Sequence, residues 1–219
     1  MRDCRLRGLY AITPAEPDET RLLVEVKNAL AGGVRLLQFR DKSGDAARRL
    51  RVAHALRTLC DQFSAALIIN DDVALATSVG ADGVHLGSDD GDLAAARRAL
   101  PAGMLLGASC YADLSLARTA AQAGADYVAF GAVYPSPTKP QAVRAPLSLF
   151  AAQHRDFDLP VCAIGGITLA NARDLVAAGA DMLAVISDLF GAADIAARAH
   201  AFQQLFQEQT DDLPQPATL

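Results

Sequence analysis

The chain has no tryptophan among its 219 residues, and aromatics make up only 5% of it. A core must therefore be packed from Ala, Val, Leu and Ile, which suits helices laid closely on a parallel sheet. Cys-x-x-Cys pairs are also missing. The four cysteines stand apart at 4, 60, 110 and 162, so neither a structural zinc site nor a dithiol redox motif is indicated, and they read as reduced, mostly buried, small hydrophobes. No apolar run approaches the roughly 18 residues of a membrane span, and no signal-length apolar stretch follows the charged first seven residues. A basic excess is lacking too: Lys+Arg 20 against Asp+Glu 25 leave a net charge of −5 and a pI near 5.3. That argues against a nucleic-acid coat but leaves room for a locally basic pocket holding a small anion. These absences predict a cytoplasmic chain with neither nucleic-acid nor membrane partners. What is present is ample for folding: 52% apolar and 21% charged residues exclude a mainly disordered chain.

Strand-like and helix-like segments alternate along the whole sequence. The patterning predicts strands over 8–13, 34–40, 66–70, 83–86, 105–110, 127–131, 161–164 and 182–186. Helices are expected over 19–31, 44–63, 73–79, 92–100, 113–123, 146–154, 169–178 and 189–207. An internal echo supports eight units. Gly80-Ala81-Asp82, Gly124-Ala125-Asp126 and Gly179-Ala180-Asp181 each precede a strand, and Gly32-Gly33-Val34 is a weaker copy. Each glycine fits a helix C-terminus, where a positive φ ends the helix at no steric cost. The echo falls at strands 2, 4, 6 and 8, a two-unit rhythm that a doubly wound open sheet gives no reason for. The fold expected is a single-domain (β/α)8 TIM barrel over residues 1–207, with a loose tail over 208–219.

In such a barrel the chemistry lies at the C-terminal ends of the strands. Strand 2 ends Gln38-Phe39-Arg40-Asp41-Lys42. With a period of two, Gln38, Arg40 and Lys42 share a face and Phe39 points toward a helix. Two cations facing inward are costly unless an anion meets them; the other reading is a solvated strand end with local ion pairs. Strand 3 ends Asn70-Asp71-Asp72, and strand 4 passes through His85 to Gly87, with Ser88-Asp89-Asp90 beyond. Carboxylates at neighbouring strand ends suit one hard cation such as Mg2+. They also suit helix caps: Asp71 or Asp72 for the helix near 73, Asp90 for the one near 92. His85 reads as a satisfied barrel-lining histidine rather than a metal ligand. Strand 5 ends at Ser109. The loop after strand 6, with Pro135, Ser136, Pro137, Thr138, Lys139 and Pro140, is either a pre-set ligand loop or a rigid surface loop. Gly165 and Gly166 after strand 7, with Ser187 after strand 8, fit a phosphate cup made of backbone N–H groups and a helix start, with Ser187 also able to cap that helix. A cationic, Mg-suited site at one side and a phosphate cup at the other suggest the joining of two phosphorylated fragments with loss of pyrophosphate.

The ordered set Leu9 to Thr13, Gln38 to Lys42, Ile69-Asn70-Asp71, Gly83 to Gly87, Gly107-Ala108-Ser109, Gly131 to Lys139 and Ala163 to Ile167 resembles the thiamine-phosphate synthase family over roughly residues 8–205. The resemblance implies a (β/α)8 barrel that joins hydroxymethylpyrimidine diphosphate to thiazole phosphate with Mg2+. It implies a pyrimidine diphosphate site at Gln38, Phe39, Arg40, Asp41, Lys42, Asn70, Ser109 and Lys139. Of these, Arg40, Lys42, Ser109 and Lys139 would act on the leaving diphosphate. It implies Asp71 and Asp90 as Mg2+ ligands, and Ser136, Pro137, Thr138, Gly166, Ile186 and Ser187 at the thiazole phosphate. The chain departs from the family at Phe39 and Asp41, where Leu and Glu are commoner, at Ser136 for Thr, and at Tyr111 for a frequent His. The last departure argues against a related thiazole tautomerase, an isomerase. A non-catalytic sensor of thiamine intermediates is the third alternative, and it would not need Asp71 or Lys139.

Overall fold

A computed structural model describes residues 5–135, 144–151 and 158–211. Its elements run β1 (Gly8–Ile12), α1 (Glu19–Ala31), β2 (Leu36–Phe39), α2 (Ala46–Gln62), β3 (Ala66–Asn70), α3 (Val73–Ser78), β4 (Gly83–Leu86), α4 (Leu93–Ala99), β5 (Leu105–Tyr111), α5 (Leu114–Gln122) and β6 (Tyr127–Gly131). Then follow β7 (Val161–Ile164), α6 (Ala172–Ala177), β8 (Met182–Val185), α7 (Ser187–Phe190) and α8 (Ile195–Asp211). The eight strands are parallel and close into one barrel, with β1 pairing both β2 and β8. The expected (β/α)8 architecture is thus the observed one. Among the described residues no helix is long and apolar enough to cross a membrane.

The two faces of each strand build two apolar layers. Inward residues such as Ile12, Leu36, Ile68, Leu105, Cys162, Met182 and Ala184 fill the barrel. Outward residues such as Leu9, Leu37, Leu67, Val84, Leu106, Val128 and Leu183 join the helices in a larger cluster. Helix starts follow from capping. Asp18, Asp45, Asp72, Asp92 and Asp113 each stand at an N-cap, their side chains accepting from first-turn N–H groups.

The Gly-Ala-Asp echo has a structural job. Gly80, Gly124 and Gly179 have φ of +62°, +87° and +103°. The alanine after each donates its N–H back to the helix, as in Ala81 to Ala76 at 2.9 Å and Ala125 to Ala120 at 3.0 Å, which is the Schellman closure. The aspartate then clips the preceding strand. Asp126 N–H donates to Leu106 O at 2.7 Å, and its carboxylate accepts from Leu106 N–H, also at 2.7 Å. Asp82 does the same to Leu67, and Asp181 to Val161. Arginines back two of these clips: Arg57 on Asp82 and Arg97 on Asp126. The two-unit rhythm therefore reflects a clip from β4, β6 and β8 to the odd strand before each, while β2, entered through Gly32-Gly33-Val34, has no aspartate to make one.

Most boundaries shift by one or two residues, and four elements differ in a way that has a visible form or cause. Strand 34–40 contracts to Leu36–Phe39. Helix 169–178 begins only at Ala172, because the Asn171 side chain accepts from Thr168 N–H and donates to Gly166 O, holding 168–171 as a turn. The last expected helix, 189–207, is two helices. Gly191 closes α7, and Asp194 restarts the chain by accepting from Ala197 N–H at 2.9 Å. Helix α8 then continues to Asp211. Between β6 and β7, residues 148–151 are helical; the rest of the expected 146–154 helix, from 152 on, lies outside the described residues.

Candidate active site

The mouth at the C-terminal strand ends takes its floor from inward positions that are polar. Gln38, 3% exposed, sits one inward step above Leu36 on β2 and donates through Nε2 to Tyr10 Oη on β1 at 2.8 Å. Arg40 follows on the same face. Its backbone N–H is held by Thr13 Oγ1 at 2.9 Å, and its guanidinium has no carboxylate partner among the described residues. Phe39 and Asp41 do not join this face. Phe39 is buried between barrel and helices, as its alternate position requires. Asp41 is turned onto Arg48 of α2 and accepts from Ser43 N–H at 2.8 Å. Burial opposes the charge on Asp41, but the Ser43 hydrogen bonds and Arg48 outweigh it and hold the carboxyl below its usual range. Of the five residues expected from strand 2, Gln38 is buried on the inward face, Lys42 meets Asp71 at the end of β3, and Arg40 shares their parity along the chain.

At the ends of β3 and β4 the structure separates caps from candidate ligands. Asp72 is the cap of α3, accepting from Leu75 N–H at 2.8 Å and pairing with Arg49 at 2.8 Å. Asp92 caps α4. Asp71 caps nothing. It adopts φ of +64°, its N–H donates to His85 O at 2.9 Å, and its carboxylate meets Lys42 Nζ. Asp90 accepts from Gly87 N–H at 2.7 Å. Burial first, and then the neighbouring Asp71 carboxyl, push the Asp90 carboxyl up, against the pull of Gly87 N–H and Lys42. Two carboxylates brought together in this way raise the pKa of one unless a cation joins them. Among the described residues no three His, Cys, Asp or Glu side chains cluster. A divalent ion here would thus take two protein carboxylates and complete its shell with water and phosphate oxygens, which is the habit of Mg2+. The donor set fits that ion.

Asn70 ends β3 in register with His85 of β4. Ser109 ends the inward row of β5, its Oγ 2.9 Å from His85 Nε2. Tyr111, at φ of +51°, leans over the β4 loop with its hydroxyl 3.0 Å from Ser88 Oγ. Across the mouth, the loop after β7 is stitched to its neighbours. Tyr134 N–H donates to Gly165 O at 3.0 Å, and Leu169 N–H to Asp188 Oδ2 at 3.1 Å. Gly166 has φ of +67°, and a Cβ there would strike the backbone oxygens of Tyr134 and Pro135. Ser187 is not the expected cap. It is the first residue of α7 with Ile186 in the N-cap position, and no side chain caps this helix, because Ile186 has no polar group to offer. The Ser187 hydroxyl is therefore not committed to the helix start. Ser136, Pro137, Thr138 and Lys139 lie outside the described residues. A hollow at the opposite end of the barrel is lined by Arg5, Arg97 and Asp126 among others. Its arginines are already paired, Arg97 with Asp126 and Arg5 with Asp82.

Sequence reasoning missed the middle of the floor. Tyr10, Tyr127 and His85 link Gln38 to Ser109 through successive contacts of 2.8, 2.8, 3.0 and 2.9 Å. The signal was available: each is a polar ring at an inward strand position, where the pattern otherwise requires aliphatic residues. His85 is satisfied inside the barrel, as read from the sequence, and its partners are a tyrosine and a serine.

Comparison with known proteins gives a consistent picture. The family described as thiamine monophosphate synthase matches residues 9–189. The thiamine-phosphate synthase of Aromatoleum aromaticum is 55% identical over 206 residues, covering 94% of this chain and 99% of the relative. That of Chromobacterium violaceum is 57% identical over 202 residues, covering 92% and 97%. The solved thiamine phosphate pyrophosphorylase from Pyrococcus furiosus superposes with a TM-score of 0.84 at 32% identity, covering 94% of this chain and 98% of that one. Neither an isomerase nor a sensor draws support from these relatives.

Proposed function

The chain belongs to the thiamine monophosphate synthase family and is a transferase with thiamine-phosphate synthase activity, and from this premise we propose how its own residues divide the work. The β2–β5 side of the mouth takes the pyrimidine diphosphate. Gln38 and Asn70 face the ring, and Arg40, Lys42 and Ser109 face the diphosphate. The observation that carries this reading is the cluster at the ends of β2 to β4, where the Asp71 and Asp90 carboxyls come together with Lys42, and where Arg40, at an inward-parity position, has no carboxylate partner among the described residues. Such a fork suits phosphate oxygens bidentately. Asp71 and Asp90 would hold Mg2+, which when bound supplies charge neutralisation to the departing diphosphate.

The reaction needs a leaving group stabilised and two fragments aligned. Arg40 and Ser109 stabilise negative charge as it grows on the diphosphate, and Lys42 joins them when the ligand draws it from Asp71. Lys139 is assigned to the same anion from the sequence. The aminopyrimidine delocalises the positive charge left on its methylene carbon, so departure precedes attack. The thiazole nitrogen then requires position rather than a base. The loops after β7 and β8, with Gly166, Ile186 and Ser187, hold the thiazole phosphate, joined by Ser136, Pro137 and Thr138. The reaction is assigned to the cytoplasm, in keeping with the buried free thiols of Cys60, Cys110 and Cys162 among the described residues; burial pushes Cys60 and Cys110 up to about 12.

The test is incubation with both phosphorylated halves, with and without Mg2+, and mass detection of thiamine phosphate and pyrophosphate. Stoichiometric formation of both products only with Mg2+ supports the reading. Product formation at full rate in the presence of excess chelator removes Mg2+ and the role given to Asp71 and Asp90.

A further inference from the structure

The polar floor is a single unbranched chain, and its chemistry restricts which way its protons can point. Its members are Gln38, Tyr10, Tyr127, His85 and Ser109, from five different strands. Tyr10, Tyr127, Gln38 and His85 are all buried. Each phenol has one proton to give, and burial raises both phenol pKa values, so neither ionises. The His85 ring has one hydroxyl partner on each nitrogen, Tyr127 on Nδ1 and Ser109 on Nε2, so as an imidazole with one N–H it gives at one side and receives at the other. Four links must therefore share protons so that each inner member gives once and receives once. A buried O–H left without an acceptor would be costly.

Only two arrangements meet that condition. In the outward one, Gln38 N–H donates to Tyr10, Tyr10 to Tyr127, Tyr127 to His85 Nδ1, and His85 Nε2–H to Ser109. The Ser109 proton is then free to point into the mouth, and the Gln38 carboxamide oxygen is free to accept. In the inward one every proton is reversed: Ser109 gives its proton to His85, and Gln38 turns its oxygen to Tyr10. The structure has Gln38 Nε2 on Tyr10, the outward sense.

The substrate assigned above offers an amino group at one end and an anion at the other. An amino donor needs the Gln38 oxygen; a diphosphate needs the Ser109 proton. Only the outward sense supplies both at once. We propose that Tyr127 and His85 are positioning residues that, with Tyr10, carry one hydrogen-bond polarity across the barrel floor, so that recognition of the pyrimidine amino group by Gln38 fixes Ser109 as a donor to the leaving diphosphate. This rests on the synthase reading of the mouth.

Room for the chain is built into the backbone. Gly107 lies on β5, and a Cβ there would fall onto the Tyr127 phenol and 2.5 Å from His85 Nδ1, where the central hydrogen bond runs. The rings are also locked. Tyr10 meets Tyr127 edge to face at 5.9 Å, and His85 stacks on Tyr127 at 5.5 Å. Coupling has a consequence for specificity. A pyrimidine with an oxo group in place of the amino group asks Gln38 for an N–H, which reverses the chain and takes the proton from the diphosphate. Discrimination should appear in kcat as well as in KM.

The experiment uses the whole enzyme labelled with 15N-histidine. NMR of the wild type without ligand is expected to show His85 as the Nε2–H tautomer, and finding Nδ1–H overturns the assigned polarity. Tyr127→Phe is expected to lose that tautomer preference and to lower kcat at least about tenfold, the worth of one charge-assisted hydrogen bond, with KM for thiazole phosphate unchanged. A Tyr127→Phe enzyme with wild-type kcat overturns the coupling. Tyr10→Phe provides a second arm should Tyr127→Phe not fold. It is expected to keep the Nε2–H tautomer, since Tyr127 still donates to His85, while raising KM for the pyrimidine; a switched tautomer in this variant overturns the chain. Wild-type turnover is measured on the same sample. Absence of thiamine phosphate there defeats the synthase reading, whereas the tautomer result judges the chain separately.

Discussion

Asp71 and Asp72 are chemically identical neighbours with opposite tasks, and backbone geometry assigns them. The positive φ of Asp71 turns its carboxylate toward Lys42 and Asp90, while Asp72 takes an extended conformation and caps α3. Asn tolerates the same left-handed backbone as Asp, so Asp71→Asn should fold like the wild type. Turnover at limiting Mg2+ should fall by about tenfold or more, the scale seen even for groups one step removed from a metal. Asp72→Ala should do the reverse. It loses a cap and the Arg49 pair, costs about 1–2 kcal/mol of stability, and leaves kcat near the wild-type value. Paired thermal melts and Mg2+ titrations of the rate decide this; an Asp71→Asn enzyme with normal Mg2+ dependence removes the residue from the metal site. The sequence showed both acids but could not separate them, because a carboxylate next to a helix start serves as cap or ligand according to one φ angle.

At the scale of elements, stability rests on the clips at the N-terminal end of the barrel. Asp126 holds Leu106 N–H and Arg97 with one carboxylate. Asp126→Ala leaves a buried strand N–H without its acceptor and leaves Arg97 with Met104 O but no carboxylate, which should cost about 1–3 kcal/mol. Asp126→Asn keeps an acceptor oxygen and should recover part of that loss. Urea midpoints report both, and kcat under folding conditions should stay unchanged because the clip is at the end of the barrel away from the mouth. An Asp126→Ala chain as stable as the wild type would show the clip to be idle. The Gly-Ala-Asp repeat was legible as a helix end before a strand, since that is local. The partner of each aspartate was not: Leu106 precedes Asp126 by 20 residues and meets it only when β5 and β6 pair. The break between α7 and α8 was legible in principle from Gly191 and Asp194, but apolar residues on both sides carried a helical reading across it.

Across the whole molecule, the buried histidine links folding to pH. Burial pushes the His85 imidazole down to about 4, outweighing the charge of Asp90, which acts the other way. The unfolded chain protonates near 6.5. Between about pH 6.5 and 4 the unfolded state therefore binds a proton that the native state refuses, and stability falls as the pH drops, by up to about 1.4 kcal/mol per unit from this group. Above 6.5 the group has no effect. Urea unfolding at pH 7.5 and 5.5 should show a smaller loss for His85→Asn than for the wild type; equal losses would mean that His85 is not the group responsible.

By itself the sequence determined the alternation of strands and helices, the eightfold count, the helix ends marked by Gly-Ala-Asp and the set of strand-end residues from which a site had to be drawn. These depend on periodicity and on local backbone preference, which act over a few residues. Only the tertiary structure decided that Asp41 is turned onto Arg48, that Asp71 rather than Asp72 faces Lys42, and that Gln38 and Ser109 share one chain through Tyr10, Tyr127 and His85. Each of these depends on which residues barrel closure places opposite one another. Parity along a strand says inward or outward, but a hydrogen bond across the interior joins strands far apart in the chain, and its partner is set by register and closure alone.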